Sequence, residues 1–188
     1  MLILLFQLGK DRYALEANRV VEVVPLLSLT KIPQAPKGVA GMFVYRGRAV
    51  PAVDLCELTI GSPARERLST RIIVVDYSEL SGRSQLLGLI VERATGMMRR
   101  DARDFMDAGL RAAASPFLGP VLTDDRGVIQ LLHAQKLLPE NVRDLVFAPS
   151  VLWPSPPSNP PPSPSEPMVR GVEGEEGETL PEASHAAD

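Results

Sequence analysis

Branched and aliphatic residues in this chain fall in short runs separated by polar turns, and their spacing is that of strands rather than helices. The runs are LILLFQL (2–8), RYAL (12–15), VVEVV (20–24), TRIIVVDY (70–77), LLGLIVE (86–92) and VIQLLH (128–133). Turn residues bound them at Gly9-Lys10-Asp11, Ser81-Gly82-Arg83-Ser84 and Thr123-Asp124-Asp125-Arg126-Gly127. The last of these, Asp-rich and closing on Gly127, predicts a hairpin. Helical signals are brief. Asp54 precedes Leu55-Cys56-Glu57-Leu58 in the manner of a capping box, Asp101–Phe105 is a second candidate, and a third opens at Pro139 with apolar residues at 142, 145 and 146. Many short strands without intervening long helices predict an all-β barrel or sandwich.

The pattern stops near residue 149. Ten of the eighteen prolines lie at or beyond Pro149, and the same stretch carries seven acidic residues against one arginine, a net −6. Residues 1–148 hold the remaining 19 basic and 16 acidic groups, or +3. Without apolar periodicity, residues 149–188 cannot offset the entropy of ordering, so they are expected to form a disordered tail, proline-rich and then acidic. At 188 residues the chain is long enough for one domain of ordinary size or two very small ones, and residues 1–148 are expected to hold the folded body.

Composition narrows the chemistry. Aromatics are 5% of the chain, so an aliphatic core is expected. The only cysteine, Cys56, excludes an internal disulfide. The opening run MLILLF is too short for a signal peptide core or a membrane span, which makes a cytoplasmic protein, with no direct membrane insertion, the expectation. His133 and His185 stand far apart, Cys56 has no histidine nearby in sequence, and Gly38, Gly41 and Gly47 match no phosphate-binding spacing. No metal, cofactor or enzymatic activity is expected. The densest basic stretch, Arg93–Arg103, is interleaved with Glu92, Asp101 and Asp104 and lacks stacking aromatics, so nucleic acid is not an expected partner.

What remains is a protein that works through its surface. Residues 36–55, PKGVAGMFVYRGRAVPAVDL, place an Arg-Gly pair between two apolar segments. With Pro36, Gly41, Arg46-Gly47 and Pro51-Ala52-Val53-Asp54-Leu55 at the expected spacing, this segment resembles the most recognisable part of the CheW-like coupling proteins. The resemblance extends over about 1–148. LLFQLGKDRYAL looks like the family's opening hairpin, VVEVVP like the strand after it, LGLIVE like its Val-Gly-Ile-x-Val-Asp strand, and FLGPVLTDDRGVIQLLHAQKLL like its closing hairpin and helix.

The resemblance implies two small five-stranded, SH3-like barrels sharing an apolar seam. It also implies a non-enzymatic adaptor whose partners are the regulatory domain of a CheA-type histidine kinase and the cytoplasmic tip of a chemoreceptor. The alternative is a double-barrel interaction module in a non-chemosensory scaffold, which genomic neighbourhood would separate from the first. The candidate interaction residues are Val44, Tyr45, Arg46, Gly47, Arg48 and Asp54. Gly47 supplies the positive φ of a tight turn, and Arg46 is expected at the strand end, either paired with a carboxylate such as Glu22 or Asp54 or reaching for a partner. The two are compatible. Family members commonly carry Asn-Leu before Arg-Gly, where this chain has Val44-Tyr45. That departure points to a changed partner surface and a dedicated, non-flagellar pathway.

Overall fold

The computed structural model describes residues 1–77, 85–107 and 115–147. Nine strands carry it: β1 (Leu2–Leu8), β2 (Asp11–Glu16), β3 (Val20–Pro25), β4 (Val39–Tyr45), β5 (Arg48–Asp54), β6 (Arg71–Asp76), β7 (Leu86–Arg99), β8 (Leu118–Asp124) and β9 (Gly127–Leu132). Two short helices, α1 (Leu55–Ile60) and α2 (Glu140–Val146), and three 3-10 turns complete it. The tail of 149–188 and the turn at 81–84 lie outside the described residues.

The strands form two five-stranded sheets that share β7. One runs β3-β6-β7-β5-β4 and the other β7-β1-β2-β9-β8. β7 serves both because it bends. Its first part, Leu86–Val91, pairs with β6, while Glu92 and then Gly96, Met97, Met98 and Arg99 pair with β1. Between them the register slips and Arg93 takes φ 46, the local kink of a bulge. The run of 86–92 marks only the first half of this strand, since a bulge breaks the alternation that periodicity relies on.

Each sheet curls until its edges meet. Thr30, beyond β3, exchanges two 2.8 Å backbone hydrogen bonds with Met42 of β4, and Met106, beyond β7, does the same with Val121 of β8. Two hydrogen-bonding pairs are parallel, β5 with β7 and β2 with β9, which single runs of apolar residues do not reveal.

Alternation along the strands sorts the core into three groups. Ile72, Val74 and Ile90 join Phe43, Val50 and Ala52 inside the first sheet. Ile3, Ala14, Leu122, Ile129 and Leu131 fill the second. The intervening residues, Leu4, Phe6, Ile73, Val75, Leu87, Leu89 and Val91, face between the sheets and form the largest group, which α2 covers with Val142 and Val146. Residues 72–75 of β6 and 87–91 of β7 form unbroken runs without a polar side chain because both faces of these stretches are buried.

Candidate interaction surface

The hairpin of β4 and β5 pairs Tyr45 with Arg48, leaving Arg46 and Gly47 as a two-residue turn. Both central residues are left-handed, at φ 49 and φ 75, which is the geometry that suits the right-handed twist of a hairpin. Glycine takes that conformation freely, but an arginine does so at a cost of about 1 kcal/mol or more. The strained residue is the one the turn presents.

Arg46 is displayed rather than buried. Its guanidinium lies 5.1 Å from the centroid of the Tyr45 ring, and Nη2 donates to Oε2 of Glu22 on β3 at 2.8 Å. The Tyr45 hydroxyl donates to the same oxygen at 2.5 Å. Tyr45 itself is buried, with its ring in the first sheet's core. The Arg46 side chain nevertheless remains 72% exposed and that of Glu22 41%. The Tyr45 hydrogen bond, with the Arg46 charge adding to it, holds the Glu22 carboxyl below its ordinary pKa. The same bond pushes the Tyr45 hydroxyl up. Glu22, one of the two carboxylates suggested by the sequence, is thus the one beside Arg46.

Val44 (55% exposed), Gly47 and Arg48 share the exposed end of this hairpin. Asp54 does not. It is 5% exposed, and all its acceptor capacity is turned inward: Oδ1 accepts from the backbone N–H groups of Cys56 and Glu57, and Oδ2 from that of Ala64 at 2.8 Å. Burial pushes its pKa up, against those three hydrogen bonds. Asp54 is a helix cap that also pins the 61–64 segment, so it is removed from the surface set. The capping box expected there is incomplete, because the Asp54 N–H donates to Gly38 O. The reciprocal box occurs instead at Asp101 and Asp104, where the brief helix expected over Asp101–Phe105 is a single 3-10 turn, Ala102–Asp104.

The remaining chemical candidates have structural roles. Burial, helped by Asp54 and Glu92, pushes the Cys56 thiol up to about 12, which leaves it protonated and unreactive. Asp124 makes two hydrogen bonds to Arg12, at 2.5 and 2.7 Å. That pair, formed between residues 112 apart in sequence, carries no local signal and was not legible from the hairpin motif alone. Among the described residues, no three His, Cys, Asp or Glu side chains come together in a group able to hold a metal ion, and no helix is long and apolar enough to cross a membrane.

The sequence model of the CheW-like domain matches residues 2–142. The chain belongs to the CheW-like domain family. It is 29% identical over 136 residues to the protein FrzA of Myxococcus xanthus, a match covering 71% of this chain and 82% of that protein. It is 30% identical over 95 residues to the chemotaxis protein CheW of Helicobacter pylori, covering 50% of this chain and 54% of that one. The chain thus aligns with only about half the length of that relative. The crystal structure of the scaffolding protein TtCheW from Thermoanaerobacter tengcongensis superimposes with a TM-score of 0.65 at 26% identity, over 75% of this chain and 89% of the other. The paired five-stranded sheets are therefore the CheW-like fold that the Arg-Gly segment implied.

Proposed function

We propose that this CheW-like protein is a non-enzymatic cytoplasmic adaptor that couples the cytoplasmic tip of a chemoreceptor to the regulatory domain of a CheA-type histidine kinase. Family membership over 2–142 supports the class of function. The observation that carries the site is Arg46, held in a strained turn with only one terminal nitrogen on Glu22 and the rest of its fork facing solvent. Backbone strain retained at an exposed residue is a mark of use rather than of packing. An exposed guanidinium with an apolar neighbour, Val44, suits a partner that offers a carboxylate beside an apolar side chain.

The Val44-Tyr45 departure supports a dedicated, non-flagellar pathway. Where the family commonly has an amide, Val44 presents methyl groups. Where it commonly has leucine, Tyr45 keeps the buried body and adds a hydroxyl that grips Glu22. A partner matched to this surface differs from one matched to Asn-Leu.

The test is affinity, by calorimetry, for the cytoplasmic tip of a chemoreceptor and the regulatory domain of a CheA-type histidine kinase from the same organism. Arg46→Ala is expected to weaken one of the two by about 30-fold, the loss of about 2 kcal/mol seen when an interface arginine is truncated. Arg46→Lys restores only part, because an ammonium lacks the planar fork. Unchanged affinity for both partners in Arg46→Ala would remove Arg46 from the site. Failure of the wild-type protein to bind either would remove the adaptor reading itself.

A further inference from the structure

Arg46 is not the only arginine held in a left-handed backbone. Arg93, in the bulge of β7, takes φ 46. A bulge re-aims the side chain it carries, and strain of this kind gathers at sites of use. Here the side chain lines a cleft of about 450 Å³ between the β1–β2 turn, the segment after α1 and the bulge itself. Lys10, Arg65 and Arg67 line it as well, all exposed, against one carboxylate, Glu92. Among the described residues, none of these four cations is in an ion pair. Arg93 Nη1 donates to Oε1 of Gln7 at 3.4 Å. The loop that carries Arg65 and Arg67 is fixed by its own hydrogen bonds. Thr70, 1% exposed, donates through Oγ1 to Arg65 O at 2.5 Å and accepts from the Arg67 N–H at 3.3 Å. Glu92 Oε1 accepts from the Arg65 N–H at 3.0 Å, and the Arg93 N–H donates to Ser69 O at 3.2 Å, which ties the loop to the bulge. Four cations ordered around one concave surface repel one another unless an anion joins them.

We propose that this cleft binds a small molecule carrying two or more phosphates, with the chemistry of a nucleoside di- or triphosphate. Guanidinium forks match phosphate oxygens two at a time, and the three arginines with Lys10 supply the countercharge of such a group. The volume is that of a small-molecule site. Ile60, 45% exposed, and Pro63 give the body of the ligand an apolar wall. Because the loop is already pinned to the bulge, little ordering is left for binding to do. The concave shape admits a free ligand more readily than a headgroup held in a flat bilayer. The cations come from three segments far apart in the sequence, so no phosphate-loop spacing marks the site. None of this depends on the role assigned to Arg46.

The experiment titrates the full, isotope-labelled chain with ATP, GTP and inorganic tripolyphosphate in the absence of divalent metal. Amide signals of residues 9, 10, 60, 65, 67, 69 and 93 are expected to shift, while those of 44–48 and of Arg99, Arg100 and Arg103 stay in place. Arg93→Gly removes the guanidinium but suits the φ of 46, so the urea midpoint should not fall. Its affinity, by calorimetry, should drop by about 10- to 100-fold, the scale of a hydrogen bond to a charged group. Arg65→Glu/Arg67→Glu, on the exposed loop, should abolish binding. The proposal is overturned if no probe shifts the cleft at about 1 mM, a concentration that half-fills a site with a Kd of 1 mM. Affinity unchanged in both variants would also overturn it. Shifts at Arg99, Arg100 and Arg103 as large as those in the cleft would reduce the effect to diffuse charge attraction. Two further arms test other sources of negative charge. Capture by mixed phosphatidylcholine and phosphatidylserine vesicles without binding of free nucleotide would assign the surface to a membrane. Binding of a polyglutamate peptide in place of the phosphates would assign it to an acidic protein. Either result rejects the small-molecule site.

Discussion

The hairpins β4–β5 and β8–β9 hold equivalent places in their sheets, yet they use an arginine and a carboxylate to opposite ends. In each, the second strand also pairs in parallel with another strand, β7 or β2. At the β8–β9 turn, Asp124 receives both terminal nitrogens of Arg12 and the backbone N–H of Arg126. Both side chains are largely covered, at 17% and 14% exposure. At the β4–β5 turn the arginine sits in the turn itself, its carboxylate comes from β3, and one nitrogen makes the contact. The first pair is saturated and fastens the second sheet. The second is unsaturated and open to a further partner. Ion pairs of the same composition differ in role through coverage and denticity, not through residue type.

The largest effect should follow from breaking the covered pair. Arg12→Ala leaves Asp124 partly enclosed without its cation and is expected to lower Tm by roughly 5–8 °C. Arg12 holds the Asp124 carboxyl at about 2, against an ordinary 3.8. Its folded pKa is depressed, so the stabilisation is complete above about pH 4 and fades as pH falls toward 2. The gap between wild type and Arg12→Ala should accordingly be widest at pH 5 and above and narrow steadily in acid, measured by urea unfolding across pH. A gap independent of pH would show that the arginine acts through packing alone.

Glycine substitutions sharpen the contrast between the turns. A Cβ built at Gly127 or Gly47 meets nothing within 4 Å, so backbone conformation alone sets the cost. Gly127 lies at φ 107, well outside the left-handed well, whereas Gly47 lies at φ 75, near it. Gly127→Ala is expected to cost about 2 kcal/mol and Gly47→Ala about 1 kcal/mol. Equal losses in denaturant unfolding would mean that one turn relaxes to a different geometry.

Much of this was legible in the sequence, and the limits are physical. Runs of branched residues located β1, β2, β3, β6 and β9, since each packs apolar side chains against the core, in β3 only the half-buried Val20, Val23 and Val24. The Arg46-Gly47 turn was legible because a positive φ selects glycine. The second half of β7 was not, because Arg93 breaks the alternation. Nor was the Arg12–Asp124 pair, which depends on the parallel β2–β9 register that no local pattern encodes. Asp54 misled for the opposite reason: a carboxylate that caps a helix and one that meets a partner look alike until burial is known.

The smallest effect separates the strain at Arg46 from its use. Arg46→Ala and Arg46→Asn both lose the exposed contact to Glu22 and the ring contact with Tyr45, each worth little at a solvent-exposed site. They differ in the backbone. Alanine inherits the arginine's unfavourable φ of 49, while asparagine is among the residues that tolerate it and is favoured in turns of this type. Arg46→Asn should therefore be more stable than Arg46→Ala by about 0.5 kcal/mol, read as a difference in urea midpoint at constant slope. Both should bind the partner equally poorly, since neither carries a guanidinium. If Arg46→Asn recovered binding along with stability, the turn's shape would be the recognised feature and the arginine incidental to it. If it gained no stability over alanine, the left-handed arginine would not be strained, and retained strain would no longer argue for a functional turn.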